Sequence, residues 1–255
     1  MSQDAGGPGP EPHGTTGTAT TGQRFARLVE VMDRLRSPGG CAWDARQSHE
    51  SLLRYLIEES YEVIEAVEAP GGPAAHRDDL VEELGDVLLQ VVFHARVGQE
   101  RGAAEGGFGI DDVVEAVTAK LIRRHPQVFD DARDELGAEA PEAALHARWE
   151  DLKRIEKPQR TGAFDGIPPG LPALQRAEKI LAKARRHGLE PPAPQDDAPD
   201  GPTPGTSSSP ATEEELGAML FELVRATSAR GLDAERALRR HAARWAHGQE
   251  SSTRT

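Results

Sequence analysis

The fold of this chain is decided by residues 51–96, which read SLLRYLIEESYEVIEAVEAPGGPAAHRDDLVEELGDVLLQVVFHAR. Apolar residues recur at helical spacing on both sides of a Pro/Gly segment, and this pattern predicts two helices joined by a turn. Each helix carries two carboxylates three residues apart, Glu59 and Glu62 on the first and Glu83 and Asp86 on the second. Because residues three apart share a helix face, each pair points in one direction.

The two predicted helices differ in how much of their surface is apolar. On the first helix, Glu58, Glu62 and Glu65 lie opposite an apolar stripe and Glu59 lies at its border. The stripe comprises Leu53, Leu56, Ser60, Val63, Ile64 and Val67. On the second helix, apolar residues cover more than half of the circumference and leave a narrow polar strip of Glu83, Asp86, Gln90 and His94. A helix this apolar is predicted to be mostly buried.

The carboxylates on these helices predict a metal site. Buried carboxylates are unfavourable unless they are paired or bind a metal, and four of them converging would repel one another at neutral pH. Oxygen-only ligands favour Mg²⁺, Mn²⁺ or Ca²⁺ over zinc or copper. A solvated acidic helix face is the alternative that the pattern leaves open. A di-iron bundle is disfavoured, because its motif is Glu-x-x-His and neither pair has histidine at the third position.

The acidic motif also resembles that of a known family. Glu58-Glu59-Ser-Tyr-Glu62, followed after twenty residues by Glu83-Leu-Gly-Asp86, resembles the EExxE…ExxD signature of the MazG family of all-α nucleoside triphosphate pyrophosphohydrolases. Cys41-Ala-Trp43-Asp44 resembles the family's CPWD, and residues 120–129 and 149–153 resemble its K-x-x-R-R-H-P-x-V-F and W-E-x-x-K segments. The resemblance extends from Phe25 to Leu189. Ala42 replaces the family's proline, a change that affects loop stiffness.

The resemblance implies an all-α helical bundle and Mg²⁺-dependent hydrolysis of nucleoside triphosphates to the monophosphate and pyrophosphate. Glu59, Glu62, Glu83 and Asp86 would hold Mg²⁺, with Mn²⁺ as a substitute. Glu58 is a candidate base for the attacking water, although helical placement turns it away from Glu59. The implied role is removal of aberrant nucleotides from the pool or adjustment of nucleotide levels under stress.

The cationic residues near the end of a predicted helix from Asp111 to Arg124 are candidate phosphate ligands. Lys120, Arg123 and Arg124 recur at helical spacing, and Arg offers phosphate a planar fork while Lys offers a point charge. Positive charge is also favoured at a helix C-terminus, which is the structural alternative. Trp43 lies on a loop before the carboxylate helix, where it could stack a nucleobase or instead plug the edge of the core.

Composition and charge narrow the class of protein. The chain has 255 residues, 37% hydrophobic, which predicts one or two domains with a modest core and appreciable disorder. Its net charge of -13 argues against nucleic acid or an anionic membrane as the main partner. The single cysteine, Cys41, excludes an intrachain disulfide and favours a reducing compartment. A signal-type segment and a membrane-length apolar run are both lacking, so we expect a soluble cytoplasmic protein.

The remaining segments follow from periodicity and turn residues. Residues 1–22 are predicted to be a disordered tail, 23–189 a catalytic domain, 190–212 a disordered linker, 213–247 two closing helices and 248–255 a tail. Within the catalytic domain, a helix over 23–36 should end at Ser37, and Ser48 and Asp111 are the predicted N-caps of two later helices. Further helices are expected over 142–156 and over 173–186, with Gly188 ending the latter.

The C-terminal helices resemble a degenerate copy of the first half. Glu215-Leu-Gly-Ala218 realigns on Glu83-Leu-Gly-Asp86, with alanine in place of the aspartate. The expected partner helix would fall in the proline-rich linker, so we predict no second active site, and chance similarity of two leucine-rich helices is the alternative.

Assembly and function complete the prediction. Because a helical hairpin is too thin to bury its apolar faces, and the second repeat is degraded, a homodimer is expected. Two rivals stay open. One is a specialised hydrolase for dUTP or phosphoribosyl-ATP, and the other is a non-catalytic helical module whose acidic face docks a basic partner.

Overall fold

The computed structural model describes residues 19–129, 155–189 and 210–253, together with positions 141, 144, 148, 149 and 152. All regular structure in these residues is helical, which confirms the predicted all-α class. The chain divides into two compact units, 1–134 and 135–255. This division falls inside the segment 23–189 that the sequence assigned to one domain, and that assignment stays a prediction. Most of the predicted tail and linker, residues 1–18 and 190–209, lies outside the described residues.

The first unit begins with three helices, and side chains cap the first two of them. Helix α1 spans Thr21–Arg36 and ends at Ser37 as predicted, and helix α2 spans His49–Glu68. Ser48 caps α2 as predicted: its hydroxyl accepts a hydrogen bond from the backbone N–H of Ser51 at 3.2 Å. A short helix α3, Gly72–Ala75, follows a turn in which Gly71 has a φ of 96° that favours glycine.

Helix α4, Arg77–Gly98, packs against α2 to complete the predicted hairpin. Helix α5, Ile110–Arg124, and the short α6, Pro126–Phe129, follow it. The predicted N-cap Asp111 is wrong, because α5 starts one residue earlier and Gly109 occupies the cap position. The backbone N–H of Gly109 donates to the Asp112 carboxylate at 2.7 Å. Asp111 instead lies in the first turn of α5, where the helix dipole stabilises a negative charge.

The core of the first unit lies where α1 and α5 cover one end of the hairpin. Its buried residues come from α1, α2, α4 and α5 and are Met32, Leu52, Val92, Phe93, Ala95 and Ile110. The predicted apolar stripe of α2 is wrong in its orientation, since Leu52 is 1% exposed and Leu53 is 52% exposed. Leu52, Tyr55 and Glu59 lie on one face of α2, and this face is turned towards the core and α4. The line of contact between α2 and α4, called the seam below, therefore includes a polar residue, Glu59.

The prediction that α4 is mostly buried is wrong for the single chain. Four of its apolar residues recur along one face and are between 36% and 55% exposed, namely Val81, Leu84, Leu88 and Val91. On α2, Leu53 and Ile57 are similarly exposed. The hairpin therefore carries an apolar surface that the described residues of its own unit leave open to solvent, a feature that single domains usually avoid.

The second unit contains three longer helices. Helix α7 spans Ala173–Arg186, helix α8 spans Glu213–Ser228 and helix α9 spans Ala234–Thr253. Gly188, with a φ of 64°, follows the end of α7 as predicted. Helix α9 continues beyond the predicted end at His247. None of the helices in the described part combines the length and the hydropathy needed to cross a membrane.

Helix α8 carries the residues of the proposed second repeat, and there Glu215 has a structural role. Its carboxylate accepts hydrogen bonds from the backbone N–H groups of Ala211 at 2.7 Å and Thr212 at 3.3 Å, and Thr212 caps the helix in return. The residue that realigns on Glu83 thus serves the helix start. The repeat itself stays a prediction, because the region expected to hold its partner helix lies outside the described residues.

Candidate metal and nucleotide site

The carboxylates of α2 and α4 meet at the seam of the hairpin. Glu59 and Glu62 lie one turn apart on α2, and Glu83 reaches them from α4. One ligand oxygen from each residue lies within 4.8 Å of the other two. Glu59 and Glu83 are half-buried, and Glu62 is exposed. The spacing in the sequence therefore predicted a convergence that the helix packing produces.

Asp86 lies one turn after Glu83 and completes the acidic surroundings. It is outside the group of three whose oxygens all approach one another, yet its negative charge is among the causes that raise the pKa of both Glu59 and Glu83. Three of the four predicted ligands thus form a cluster, and the fourth is close enough to act on it.

Two of these carboxylates, Glu59 and Glu83, have a raised pKa. Burial is the largest cause for Glu59, followed by a hydrogen bond with Glu62 and the charges of Asp86, Glu62 and Glu83, and together they raise the pKa of Glu59 to about 7. Loss of hydration, followed by the charges of Glu62 and Asp86, raises the pKa of Glu83. At neutral pH the negative charges of these carboxylates therefore repel one another, and no neighbouring positive charge in the described part of the chain is among the causes of the Glu59 and Glu83 shifts.

This donor set fits a hard divalent cation. Oxygens that share one octahedral Mg²⁺ lie about 3–4 Å apart, given bonds of about 2 Å, so oxygens within 4.8 Å of one another would have to approach by up to about 2 Å to share an ion. A cation would also relieve the repulsion that raises these pKa values. The set contains carboxylates only, which favours magnesium or manganese over zinc.

The other predicted site residues are not members of this group of close oxygens. Glu58 is exposed on α2 and is not part of the group of close oxygens. Lys120, Arg123 and Arg124 lie at the end of α5, where Arg123 is exposed and the other two are half-buried. The groups that raise the pKa of Glu59 and Glu83 are carboxylates alone. The phosphate-binding role of the α5 residues stays a prediction.

Trp43 lies near the same seam. It belongs to the loop between α1 and α2, it is 44% exposed, and its ring centroid is 5.8 Å from that of Tyr55 in an edge-to-face arrangement. Tyr55 lies one turn before Glu59 on the inward face of α2. The exposed part of Trp43 thus lies beside a residue one helical turn from Glu59, and it is an aromatic surface that a ligand can contact.

The polar seam continues past the carboxylates, and here the sequence prediction missed a contact. Gln90 is 5% exposed, and its buried side-chain amide oxygen has no hydrogen-bond partner among the residues that the structure describes. Beyond it, the Nδ1 atoms of His49 and His94 lie 2.8 Å apart with the rings stacked. Burial, followed by the charge of His49, lowers the pKa of His94. The sequence placed Gln90 and His94 in the polar strip of α4. It could not predict that His49 contacts His94, because this contact depends on how α2 and α4 align along their lengths.

The amino-acid sequence is similar to those of several known proteins. Residues 47–129 match the model of the MazG nucleotide pyrophosphohydrolase domain. The chain is 40% identical over 223 residues to the nucleoside triphosphate pyrophosphohydrolase/pyrophosphatase MazG of Thermotoga maritima, covering 85% of this chain and 80% of that one. It is 42% identical over 167 residues to the nucleoside triphosphate pyrophosphohydrolase of Escherichia coli K12, covering 64% of this chain and 58% of the relative. The match to the Mycobacterium tuberculosis protein of that name is 40% over 168 residues, covering 66% of this chain and 47% of the relative.

Proposed function

The chain belongs to the MazG family of nucleotide pyrophosphohydrolases, and we propose that it hydrolyses nucleoside triphosphates to the monophosphate and pyrophosphate with Mg²⁺ as cofactor. The observation that carries this proposal is the meeting of Glu59, Glu62 and Glu83, with Asp86 beside them, at one seam. The relatives named above carry the matching activity in their names. On this proposal the chain is a hydrolase of acid anhydrides.

The carboxylates would hold the metal. When bound, Mg²⁺ neutralises phosphate oxygens and lowers the pKa of a coordinated water. Glu59 must lose its proton to act as a ligand, and its pKa of about 7 makes this step sensitive to pH in the neutral range. Metal binding by this chain should therefore weaken as the pH falls below about 7.

Other residues would bind and orient the nucleotide. Lys120, Arg123 and Arg124 would bind the phosphates and stabilise the charge that develops on the leaving pyrophosphate, and Trp43 would stack the base. Glu58 keeps its predicted role as the base that takes a proton from the attacking water, and its exposed carboxylate is open to solvent on α2. These roles rest on the family pattern together with the placement of Trp43 beside Tyr55.

We also propose that the protein works as a homodimer. The exposed apolar residues of α4, Leu84, Leu88 and Val91 among them, form a continuous face beside the site. A second copy offers the same face, and two-fold symmetry lets a self-complementary patch bury itself. The physiological role proposed is removal of aberrant nucleotides from the cellular pool.

The test is release of pyrophosphate across a panel of nucleotides that includes dUTP and phosphoribosyl-ATP, with Mg²⁺ present and with Mg²⁺ chelated. We expect turnover that chelation abolishes, and loss of turnover in Asp86→Asn with the helical content retained. Asp78→Asn, on the same helix but 92% exposed, is the matched control and should keep full activity. Activity confined to dUTP or phosphoribosyl-ATP would identify a specialised hydrolase. If no nucleotide is turned over and Mg²⁺ leaves the melting temperature unchanged, the chain is a helical interaction module instead.

A further inference from the structure

Arg36, the last residue of α1, is a buried cation with an unusual set of partners. It is 7% exposed, and its Nε and Nη2 atoms donate to the two carboxylate oxygens of Glu100 at 2.9 and 2.8 Å. Its Nη1 atom donates to the backbone carbonyls of Asp44 and of Gln47, the latter at 3.1 Å. The guanidinium also lies over the Phe93 ring, 5.4 Å from its centroid. A buried charge is tolerated only when it is paired and hydrogen-bonded in this way.

Two of the four hydrogen bonds that Arg36 donates go to the loop that carries Trp43. The loop is also held at its start, where the Cys41 N–H donates to the Leu35 carbonyl at 2.7 Å. At its end, the Gln47 side chain donates to the Trp43 carbonyl at 3.0 Å and accepts from the Ser51 hydroxyl at 2.7 Å. The backbone on both sides of Trp43 is therefore tied to α1 and to the start of α2.

Gly40 shows how closely this loop returns to α1. A Cβ atom at this position would lie 2.3 Å from the Leu35 carbonyl oxygen and 2.4 Å from that of Arg34, so only glycine fits. The chain thus folds back tightly enough for Arg36 to reach the carbonyls of Asp44 and Gln47. The conformation of residues 40–47 is therefore fixed both by the close approach of Gly40 to α1 and by the hydrogen bonds from Arg36.

We propose that Arg36 and Glu100 are positioning residues that hold the Trp43 loop in the conformation that binds the nucleobase. This inference rests on the proposed role of Trp43 in nucleotide binding. Glu100 fixes the plane of the guanidinium by its two-point contact, and the remaining Nη1 donor then points at the loop carbonyls. Lysine could keep the charge but cannot contact the carboxylate and the two carbonyls at once, because it lacks the planar fork.

Arg96 supplies a matched control, because it binds the same carboxylate without holding the loop. Its Nη1 atom donates to Glu100 at 3.2 Å, and its Nε atom donates to Asp33 at 2.8 Å. Replacing Arg96 by Lys keeps the charge but removes the guanidinium that contacts Glu100 and Asp33, and it leaves the contacts from Arg36 to Asp44 and Gln47 in place. A general effect of losing a guanidinium at this end of the unit would appear in both lysine variants.

The experiment uses the full chain with Trp149→Phe and Trp245→Phe, so that Trp43 is the remaining tryptophan of three. Acrylamide quenching of Trp43 fluorescence, without nucleotide, reports the position of the loop. Steady-state kinetics with Mg²⁺ and the best nucleotide report its function. In Arg36→Lys we expect quenching to increase about two-fold and KM to rise about tenfold, with kcat within about two-fold, because a displaced Trp43 weakens stacking on the base without touching the reacting phosphate.

Glu100→Gln is the second variant, and it covers the case in which Arg36→Lys fails to fold. It should move quenching and KM in the same direction by a smaller factor, while Arg96→Lys should leave both near the parent values. The inference is overturned if folded Arg36→Lys or Glu100→Gln shows parental quenching, or if quenching increases and KM stays unchanged. Absence of turnover in the chain that keeps all three tryptophans would instead remove the proposed function, a result distinct from the quenching measurement.

Discussion

Replacing Glu59 by Gln should stabilise the metal-free protein at alkaline pH and reduce its response to Mg²⁺. In the folded chain the pKa of Glu59 rises from 4.5 to about 7, so the folded state binds this proton more tightly than the unfolded state. The resulting stability is fully present below about pH 4.5 and is lost as the pH rises through about 7. Glutamine keeps the size of the side chain and removes the charge that the neighbouring carboxylates repel.

The magnitude follows from the pKa difference. A shift from 4.5 to about 7 corresponds to about 3.4 kcal/mol, at about 1.4 kcal/mol for each pKa unit. The seam is partly open to solvent and salt screens the charges, so we reduce the expected effect to about 1–2 kcal/mol. At pH 8 in chelator, Glu59→Gln should therefore raise the melting temperature by roughly 3–8 °C. At about pH 4, where the wild-type carboxyl is protonated, the difference should vanish.

Thermal unfolding between pH 4 and 8, with chelator and with Mg²⁺, checks this prediction. Wild type should gain stability from Mg²⁺ at pH 8 and little at pH 5, because protons and the cation compete for Glu59. Glu59→Gln should show a shallower pH slope and a smaller gain, because Glu83 keeps its raised pKa and the other carboxylates remain. Glu65→Gln, on the exposed side of the same helix, is the control for removing one negative charge. Equal shifts in the two variants, or an equal Mg²⁺ response in wild type and Glu59→Gln, would refute a shared cation site.

Three further predictions concern the fold and assembly. Ser48→Ala should lower the free energy of unfolding by about 1 kcal/mol in urea titrations, because α2 loses its cap, and an unchanged midpoint would contradict this. Gln90→Leu should leave that free energy unchanged or raise it by about 1 kcal/mol, since it removes a buried carbonyl oxygen that has no partner; a clear loss would mean that this oxygen is satisfied in solution. Leu88→Glu should convert a dimer into a folded monomer by light scattering, and an unchanged mass would exclude α4 from the interface.

Local features of this fold could be predicted from the sequence because their causes are local. The end of α1 at Ser37 and the cap of α2 at Ser48 depend on residues within one turn. The convergence of Glu59, Glu62 and Glu83 could also be predicted, because spacing on two neighbouring helices sets which side chains share a face. The error at the start of α5 is one residue, within the usual uncertainty of a helix end.

Features that depend on how two helices pack against each other could not be predicted from the sequence. The rotation of α2 was predicted by giving Leu53 to the core, but the structure gives that place to Leu52. The helical wheel was oriented by apolar residues alone, whereas the face of α2 that contacts α4 also contains Glu59. The contact between His49 and His94 has a similar origin, since it requires the register between α2 and α4.

The orientation of Glu59 and the exposure of Leu53 have the same cause. Residues seven apart return to nearly the same helix face, so Leu52 and Glu59 face α4 together and the side chains next to them in the sequence turn outward. On α4, Leu84 and Leu88 likewise follow the seam residues Glu83 and Val87 in the sequence, and they are exposed. Helices α1 and α5 cover the hairpin near Val92 and leave the carboxylate end open. The apolar face that a second copy would bury therefore lies beside the carboxylates, so assembly through this face would also shield the metal site from water.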